Sequence, residues 1–168
     1  RDTKDSAYFT SANRGKRSVT VNLSKPQGQE LVRRLAAASD VLLENYKFGD
    51  LDRYGLGYAQ LKELNPRLVY CSVTGFGQTG PWRERPGYDF MIQGMGGMMS
   101  VTGDAQGEPM RAGVPVADII TGTSASIAIC AAPDSNCFSV SFRSFAFPPL
   151  VRSTAFNPTA LSKGTRFR

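Results

Sequence analysis

A carboxylate in an apolar frame is the first feature of this chain with chemistry in it. Asp118 stands in Arg111-Ala-Gly-Val-Pro-Val-Ala-Asp118-Ile-Ile-Thr-Gly, flanked by Val114, Val116, Ile119 and Ile120. Val116 to Cys130 carries small and apolar residues at helical spacing, which puts Asp118 in the first turn. There the helix dipole favours an anion. A carboxylate that is partly desolvated yet still charged can act as a nucleophile. Taken alone, an aspartate at a helix start is usually a cap or a first-turn charge.

Other chemistries are excluded by what the chain lacks. It has no histidine, which removes Ser-His and Cys-His dyads and imidazole acid–base steps. Its three cysteines, Cys71, Cys130 and Cys137, form no CxxC pair and fit a reducing compartment better than a disulfide framework. Cys71 lies in an apolar run and reads as a core thiol. Gly75-Phe-Gly-Gln-Thr-Gly80 contains G-x-G-x-x-G after a strand, the pattern of a dinucleotide loop. Pro81 and Trp82 follow at once, however, so no helix can open from the third glycine to take a pyrophosphate. The formal charge is +6. Five Lys/Arg and one Asp follow Cys130, so +4 of that excess belongs to the last segment, and a nucleic-acid-binding surface is not expected. No apolar run is long enough to span a bilayer.

The elements that must position Asp118 follow from periodicity. Residues 18–23, Ser-Val-Thr-Val-Asn-Leu, alternate and predict a strand. Ser24-Lys-Pro26 opens an amphipathic helix reaching about Ala38. Asp40 to Asn45 predicts a buried parallel strand whose end opens onto a site. Leu51 to Leu64 predicts helical pieces broken by Gly55 and Gly57, with Asn65-Pro66 as the stop. Arg67 to Val73 predicts a third strand, and Tyr88 to about Met99 a helix. Strand–helix–strand alternation at this spacing implies an α/β fold on a parallel sheet. Residues 1–130 form one domain in this reading. Residues 131–168, with six of the ten phenylalanines and four of the ten prolines, show no sustained period and read as an atypical tail.

Several of these stretches together resemble the family III CoA-transferases. Asn13-Arg-Gly-Lys16-Arg-Ser18 resembles the family's N-x-x-K-x-S entry, and Asp40-Val-Leu-Leu-Glu-Asn-Tyr46 its D-V-x-x-E-N-[FY] strand. Leu51-Asp-Arg-Tyr-Gly-Leu56 resembles L-x-x-x-G-L. Asn65-Pro-Arg-Leu-Val-Tyr-Cys-Ser-Val-Thr-Gly-Phe-Gly77 and Arg85-Pro-Gly-Tyr-Asp89 match two further elements, in order and at family spacing. The resemblance runs over about residues 6–130, and within the family it leans to the succinyl-CoA:dicarboxylate type.

The resemblance implies a Rossmann-like first domain, incomplete here, and CoA transfer between carboxylic acids through an aspartyl-CoA thioester at Asp118. Val21, Asn22, Leu23 and Ser24 would line the adenosine pocket of CoA. Asn45, Tyr46 and Lys47 would meet CoA at the next strand end. Arg53 would face its phosphates, or else form a surface ion pair. Pro86, Gly87, Tyr88 and Asp89 would pass beside the pantetheine arm, with Asp89 either orienting substrate or hydrogen-bonding a loop. The cluster Arg14, Lys16 and Arg17 reads as a solvated turn or as a phosphate contact. No prosthetic group or metal is expected; coenzyme A and acyl-CoA are substrates. The related racemases carry His where Tyr88 stands, and a phenol is a poor proton shuttle at neutral pH, so transferase is favoured over racemase. Full-length members form interlocked homodimers. A chain lacking the family's opening strand, its second domain and its glycine-rich loop is expected to be a weak or inactive catalyst that still binds CoA. Cytoplasmic placement is expected, or mitochondrial if an upstream segment carried that address.

Overall fold

A computed structural model of the chain describes residues 6–132 and 137–141. Its helices are α1 (Ala7–Ala12), α2 (Pro26–Ala37), α3 (Tyr58–Leu64), α4 (Asp89–Met95) and α5 (Val116–Ala131). Its strands are β1 (Val41–Glu44), β2 (Val69–Thr74) and β3 (Cys137–Ser141), and 3₁₀ turns lie at Asp52–Tyr54 and Met98–Val101. The three strands form one parallel sheet in the order β1-β2-β3.

The central strand β2 is buried along its whole length. A strand covered on both faces needs helices on both, the requirement of a parallel sheet. Period two sorts its side chains. Tyr70 joins Leu61, Leu56, Leu51, Leu68 and Ala36 beneath α2 and α3. Cys71 and Val73 point the other way and pack against Ala125 and Ile129 of α5. The Tyr58 and Tyr70 rings meet edge-on at 5.9 Å. The α/β class and parallel sheet expected from sequence are therefore present, and the strands at 40–45 and 67–73 and the helices at 26–38, 88–99 and 116–130 lie within a few residues of their expected bounds.

Two expectations fail. Residues 18–23 form no strand. A strand exists only with a neighbour to ladder against, and β1 pairs only with β2 among the described residues. The segment instead leans on α2. A side chain at Gly28 would run into the Asn22 carbonyl, and Gln29 Nε2 donates to the Leu23 carbonyl at 3.0 Å. Second, Cys137–Ser141, in the segment where no period was expected, forms β3 on the open edge of β2. The rest of that expected tail, residues 133–136 and 142–168, lies outside the described residues.

The stop signal Asn65 works harder than a breaker. Its Nδ2 donates to the carbonyls of Ala36 and Ser39 at 3.1 and 2.8 Å, closing the C-terminus of α2 from the end of α3. Its Oδ1 accepts from Arg67 N–H at 3.1 Å and sets the entry to β2. Asn65→Ala should lower the unfolding free energy by about 1–3 kcal/mol, because orphan helix carbonyls lose their donor. Asn65→Asp should cost more, since its carboxylate would face those carbonyls. Urea melts of the three proteins check the ranking; equal stability of all three would refute it.

Candidate functional site

The site is built where parallel strands end. β1 stops at Glu44, whose Oε2 accepts from Tyr46 N–H at 2.7 Å and turns the chain at once. Glu44 pairs in register with Ser72, and the Ser72 hydroxyl accepts from Gln78 Nε2 at 2.6 Å. This network ties both strand ends to the glycine-rich loop. Burial pushes the Glu44 carboxyl above its ordinary pKa, against the hydrogen bonds from Ser72 and Tyr46, with Asp52 adding a smaller upward push.

The glycine-rich loop does its work by close approach. A Cβ on Gly75 would run into the Gly87 backbone. Two facing glycines thus let Pro86-Gly87-Tyr88 cross over the end of β2. No helix follows Gly80, in keeping with the exclusion of a dinucleotide loop. Gly77 N–H instead donates to Thr74 Oγ1 at 3.0 Å.

Over these ends lies a cleft of about 210 Å³ whose walls include Asn45, Tyr46, Lys47, Pro86, Gly87 and Tyr88. Those six expected site residues are therefore brought together. Arg83 and Arg85 join Lys47 on the same walls, against a single carboxylate, Glu84. Arg83 lies 4.6 Å from the Phe48 ring centroid and 3.7 Å from the Glu84 carboxylate, and Arg85 lies 5.1 Å from the Trp82 centroid, so a ring and an ion pair hold the first guanidinium and a ring the second. A second hollow of about 380 Å³ shares Asn45, Val73, Gly87 and Tyr88 with the first, and adds Asp89, Asp118, Thr121 and Gly122. The two hollows adjoin across these shared walls, a groove with cations on one side of them and carboxylates on the other.

The remaining expected residues lie elsewhere. Val21, Asn22, Leu23 and Ser24 are not on the groove walls. Leu23 packs into the core under α2 and α3, and the Asn22 carbonyl oxygen of its side chain accepts from Ser24 N–H at 2.9 Å. With no strand there, that segment has no strand end to offer. Arg53 pairs with Asp50 at 2.8 Å and leans over the Tyr54 ring, so the ion-pair reading describes its surroundings. Arg14, Lys16 and Arg17 are exposed.

Asp118 sits in the first turn of α5 as expected. Its carboxyl is raised above the ordinary aspartate value, first by burial and second by the charge of Asp89. Its apolar neighbours Ile119 and Ile120 are 50% and 39% exposed, so the frame is open on one side. Helix α5 has no capping side chain of its own at Pro115. Asp89 supplies the cap from α4: its Oδ1 accepts from Ala117 N–H at 2.8 Å and from Asp118 N–H at 3.4 Å. These bonds go to a helix start rather than to a loop, and Asp89 also lines the second hollow. Cys71 is fully buried, with burial, then Glu44, pushing its thiol up to about 11, as befits a core residue.

Sequence reading gave no role to Arg83, Arg85, Glu44 or Gln93. Gln93 carried a signal, standing four residues after Asp89 on a predicted helix, hence on the same face.

The comparisons point one way. The sequence profile of CoA-transferase family III matches residues 1–134. The succinate–glutarate CoA-transferase of Agrobacterium fabrum is 55% identical over 126 residues, which is 75% of this chain and 32% of that protein. Human succinyl-CoA:glutarate CoA-transferase is 45% identical over 127 residues, 76% of this chain and 29% of that protein. A crystal structure of a CAIB/BAIF family protein from Brucella suis superposes with a TM-score of 0.78 at 50% identity, covering 83% of this chain and 39% of the other. The chain thus spans about a third of the length of these relatives. No helix among the described residues is long and apolar enough to cross a membrane.

The raised carboxyl of Asp118 has a measurable sign. A folded-state pKa above the unfolded one means that the folded chain holds the proton more tightly. Ionisation therefore destabilises the fold. The cost builds as pH rises above the usual value of 3.8 and vanishes below it. Asp118→Asn should melt at a higher temperature than the parent near pH 7, and the gap should close by about pH 3. A variant that melts lower at neutral pH would contradict this.

Proposed function

We propose, from the premise that this chain belongs to CoA-transferase family III, that its groove binds the CoA of an acyl-CoA and presents the thioester to Asp118. The observation that carries the reading is that the cationic hollow and the hollow holding Asp118 share Asn45, Val73, Gly87 and Tyr88 as walls. Its cationic end, with Lys47, Arg83 and Arg85, suits the phosphates of CoA, because guanidinium forks pair with phosphate in bidentate fashion. Its other end is a carboxylate on a helix N-terminus. Asn45, Gly87 and Tyr88 lie between, where an extended pantetheine arm would run. Val21, Asn22, Leu23, Ser24 and Arg53 are not assigned CoA contacts in this reading, because none lines the groove.

In the proposed reaction Asp118 attacks the thioester carbon. A mixed anhydride forms and CoA leaves as thiolate. The thiolate attacks the Asp118 carbonyl carbon, giving an aspartyl-CoA thioester and releasing the first carboxylic acid. An acceptor carboxylate attacks that thioester and the steps reverse, returning Asp118 and a new acyl-CoA. Each step exchanges one acyl oxygen or sulfur bond for another, so one hard transfer becomes several easier ones. Partial burial weakens the hydration of the Asp118 anion, and its place in the first turn of α5 lets the helix dipole favour the charged form. Dicarboxylate acyl groups are the first substrates to test, given the names of the relatives. No bound prosthetic group enters the scheme.

A second reading, CoA binding with little turnover, is favoured by the open side of the Asp118 frame, since water at the anhydride would divert the reaction. One experiment separates the two. The chain is incubated with succinyl-CoA, quenched with hydroxylamine and mapped by mass spectrometry. A hydroxamate at Asp118 that disappears in Asp118→Ala is expected of the transferase; an adduct that survives the substitution, or none at all, removes it. Calorimetry with CoA tests binding independently: Lys47→Ala and Arg85→Ala should each weaken it by about three- to tenfold, more at low salt.

A further inference from the structure

Gln93 is wholly buried, yet it is polar and lies in a seven-residue helix. A buried amide must find partners for its donors and its acceptor. Here they form a directed chain. Ala112 N–H donates to Gln93 Oε1 at 2.8 Å. Gln93 Nε2 donates to Asp89 Oδ2 at 2.6 Å, with a longer contact to the Val114 carbonyl at 3.5 Å. Asp89 Oδ1 then accepts from the first turn of α5, at Ala117 and Asp118. The chain runs from the loop before α5, through two side chains of α4, to the N-terminus of α5.

We infer that Asp89 and Gln93 are positioning residues, a polarised hydrogen-bond relay that fixes the first turn of α5 and with it the backbone bearing Asp118. Three observations carry this. Pro115 gives α5 no capping side chain, so the cap must come from elsewhere. Ala117 is fully buried against Ile92 and Phe76, so its N–H has no access to water and depends on Asp89. Gln93 points Asp89 by taking up its second oxygen, and its own orientation is set by Ala112. The links have a fixed polarity that converges on Asp89: Ala112 N–H donates to Gln93 and Gln93 to Asp89 from one side, and the α5 amides donate to Asp89 from the other. Exchanging one member mismatches one link only.

That polarity makes the inference testable without any assay of turnover. In Asp89→Asn the new amide places a donor either against Gln93 Nε2 or against Ala117 N–H. Turning Gln93 over moves the conflict to Ala112 N–H. In Gln93→Glu two carboxylates face each other. In the double variant Asp89→Asn/Gln93→Glu the three short links match again, Ala112 N–H to Glu, Asn to Glu, and Ala117 N–H to Asn, and only the 3.5 Å contact to the Val114 carbonyl loses its donor. Hydrogen exchange at the Ala117 and Asp118 amides reads the outcome in the full chain. Each single variant should exchange at least about tenfold faster at these two amides, the loss expected of an unmatched buried polar group. The double variant should return to within about threefold of the parent. The mixed result of two damaging singles and a restored double is what a merely bulky or merely charged site would not give. Singles that leave exchange unchanged overturn the relay, and so does a double that is no better protected, or no better folded, than the worse single. The relay has catalytic meaning only if Asp118 is the nucleophile, the reading proposed above. Hydroxamate trapping can fail while the exchange pattern holds, and the reverse, so the two fail separately.

Discussion

Burial of β2 on both faces is the constraint from which the rest follows. A strand with no wet face must be covered twice, and parallel neighbours require the chain to cross back over the sheet between strands. The crossovers are α3 on one side, packed on Tyr70, and α4 with α5 on the other, where α5 packs on Cys71 and Val73 and α4 packs on Phe76 and α5. Parallel strands also end at the same edge. Asn45 to Lys47 after β1, and Thr74 and Gly75 at the end of β2, therefore open side by side, the usual place for a ligand crevice in α/β sheets. The groove is a consequence of sheet direction before it is a feature of any side chain.

Two contacts then convert an edge into a site. The approach of Gly75 to Gly87 brings the loop 81–88 over the strand ends, carrying Arg83, Arg85 and Tyr88. The Asp89–Gln93 relay anchors the first turn of α5 to α4, and sets Asp118 at the other end of the same groove. Each of these contacts joins segments that are distant from one another in sequence or belong to different elements. The charge on Asp89 is the cost of this arrangement, since it stands close enough to Asp118 to raise its carboxyl. A neutral cap would hold the helix without opposing the ionised form of Asp118.

Most of the sheet and its covering helices could be read from periodicity, because burial writes period two or 3.6 into the residues that meet the core. The two misreadings have one cause. Residues 18–23 alternate like a strand but have no ladder partner among the described residues, and Cys137–Ser141 lacks a clear pattern but finds the open edge of β2. Strand formation is settled by the neighbour, and local sequence does not name the neighbour. The same limit explains the site. Asn45, Tyr46, Lys47, Gly87, Tyr88 and Asp118 were legible through strand ends and the family resemblance, and they meet in the groove. Val21 to Ser24 and Arg53 were placed at CoA by resemblance, but with no strand at 18–23 the former have no strand end to offer, and the latter turns to Asp50.

The sequence by itself determined the class of this chain: an α/β chain of family III type, carrying a carboxylate at a helix start. Those properties reside in residue identity, order and period, which folding does not alter. Only the tertiary structure decided which carboxylate is spent as a cap. Asp89 and Asp118 are both first-turn acids on their own helices, and both line the hollow beside Tyr88. They differ because α4 and α5 pack so that both oxygens of Asp89 are taken up by Gln93 and by the amides of α5. Hydrogen-bond partners across two helices make that difference, and no spacing along the chain encodes it.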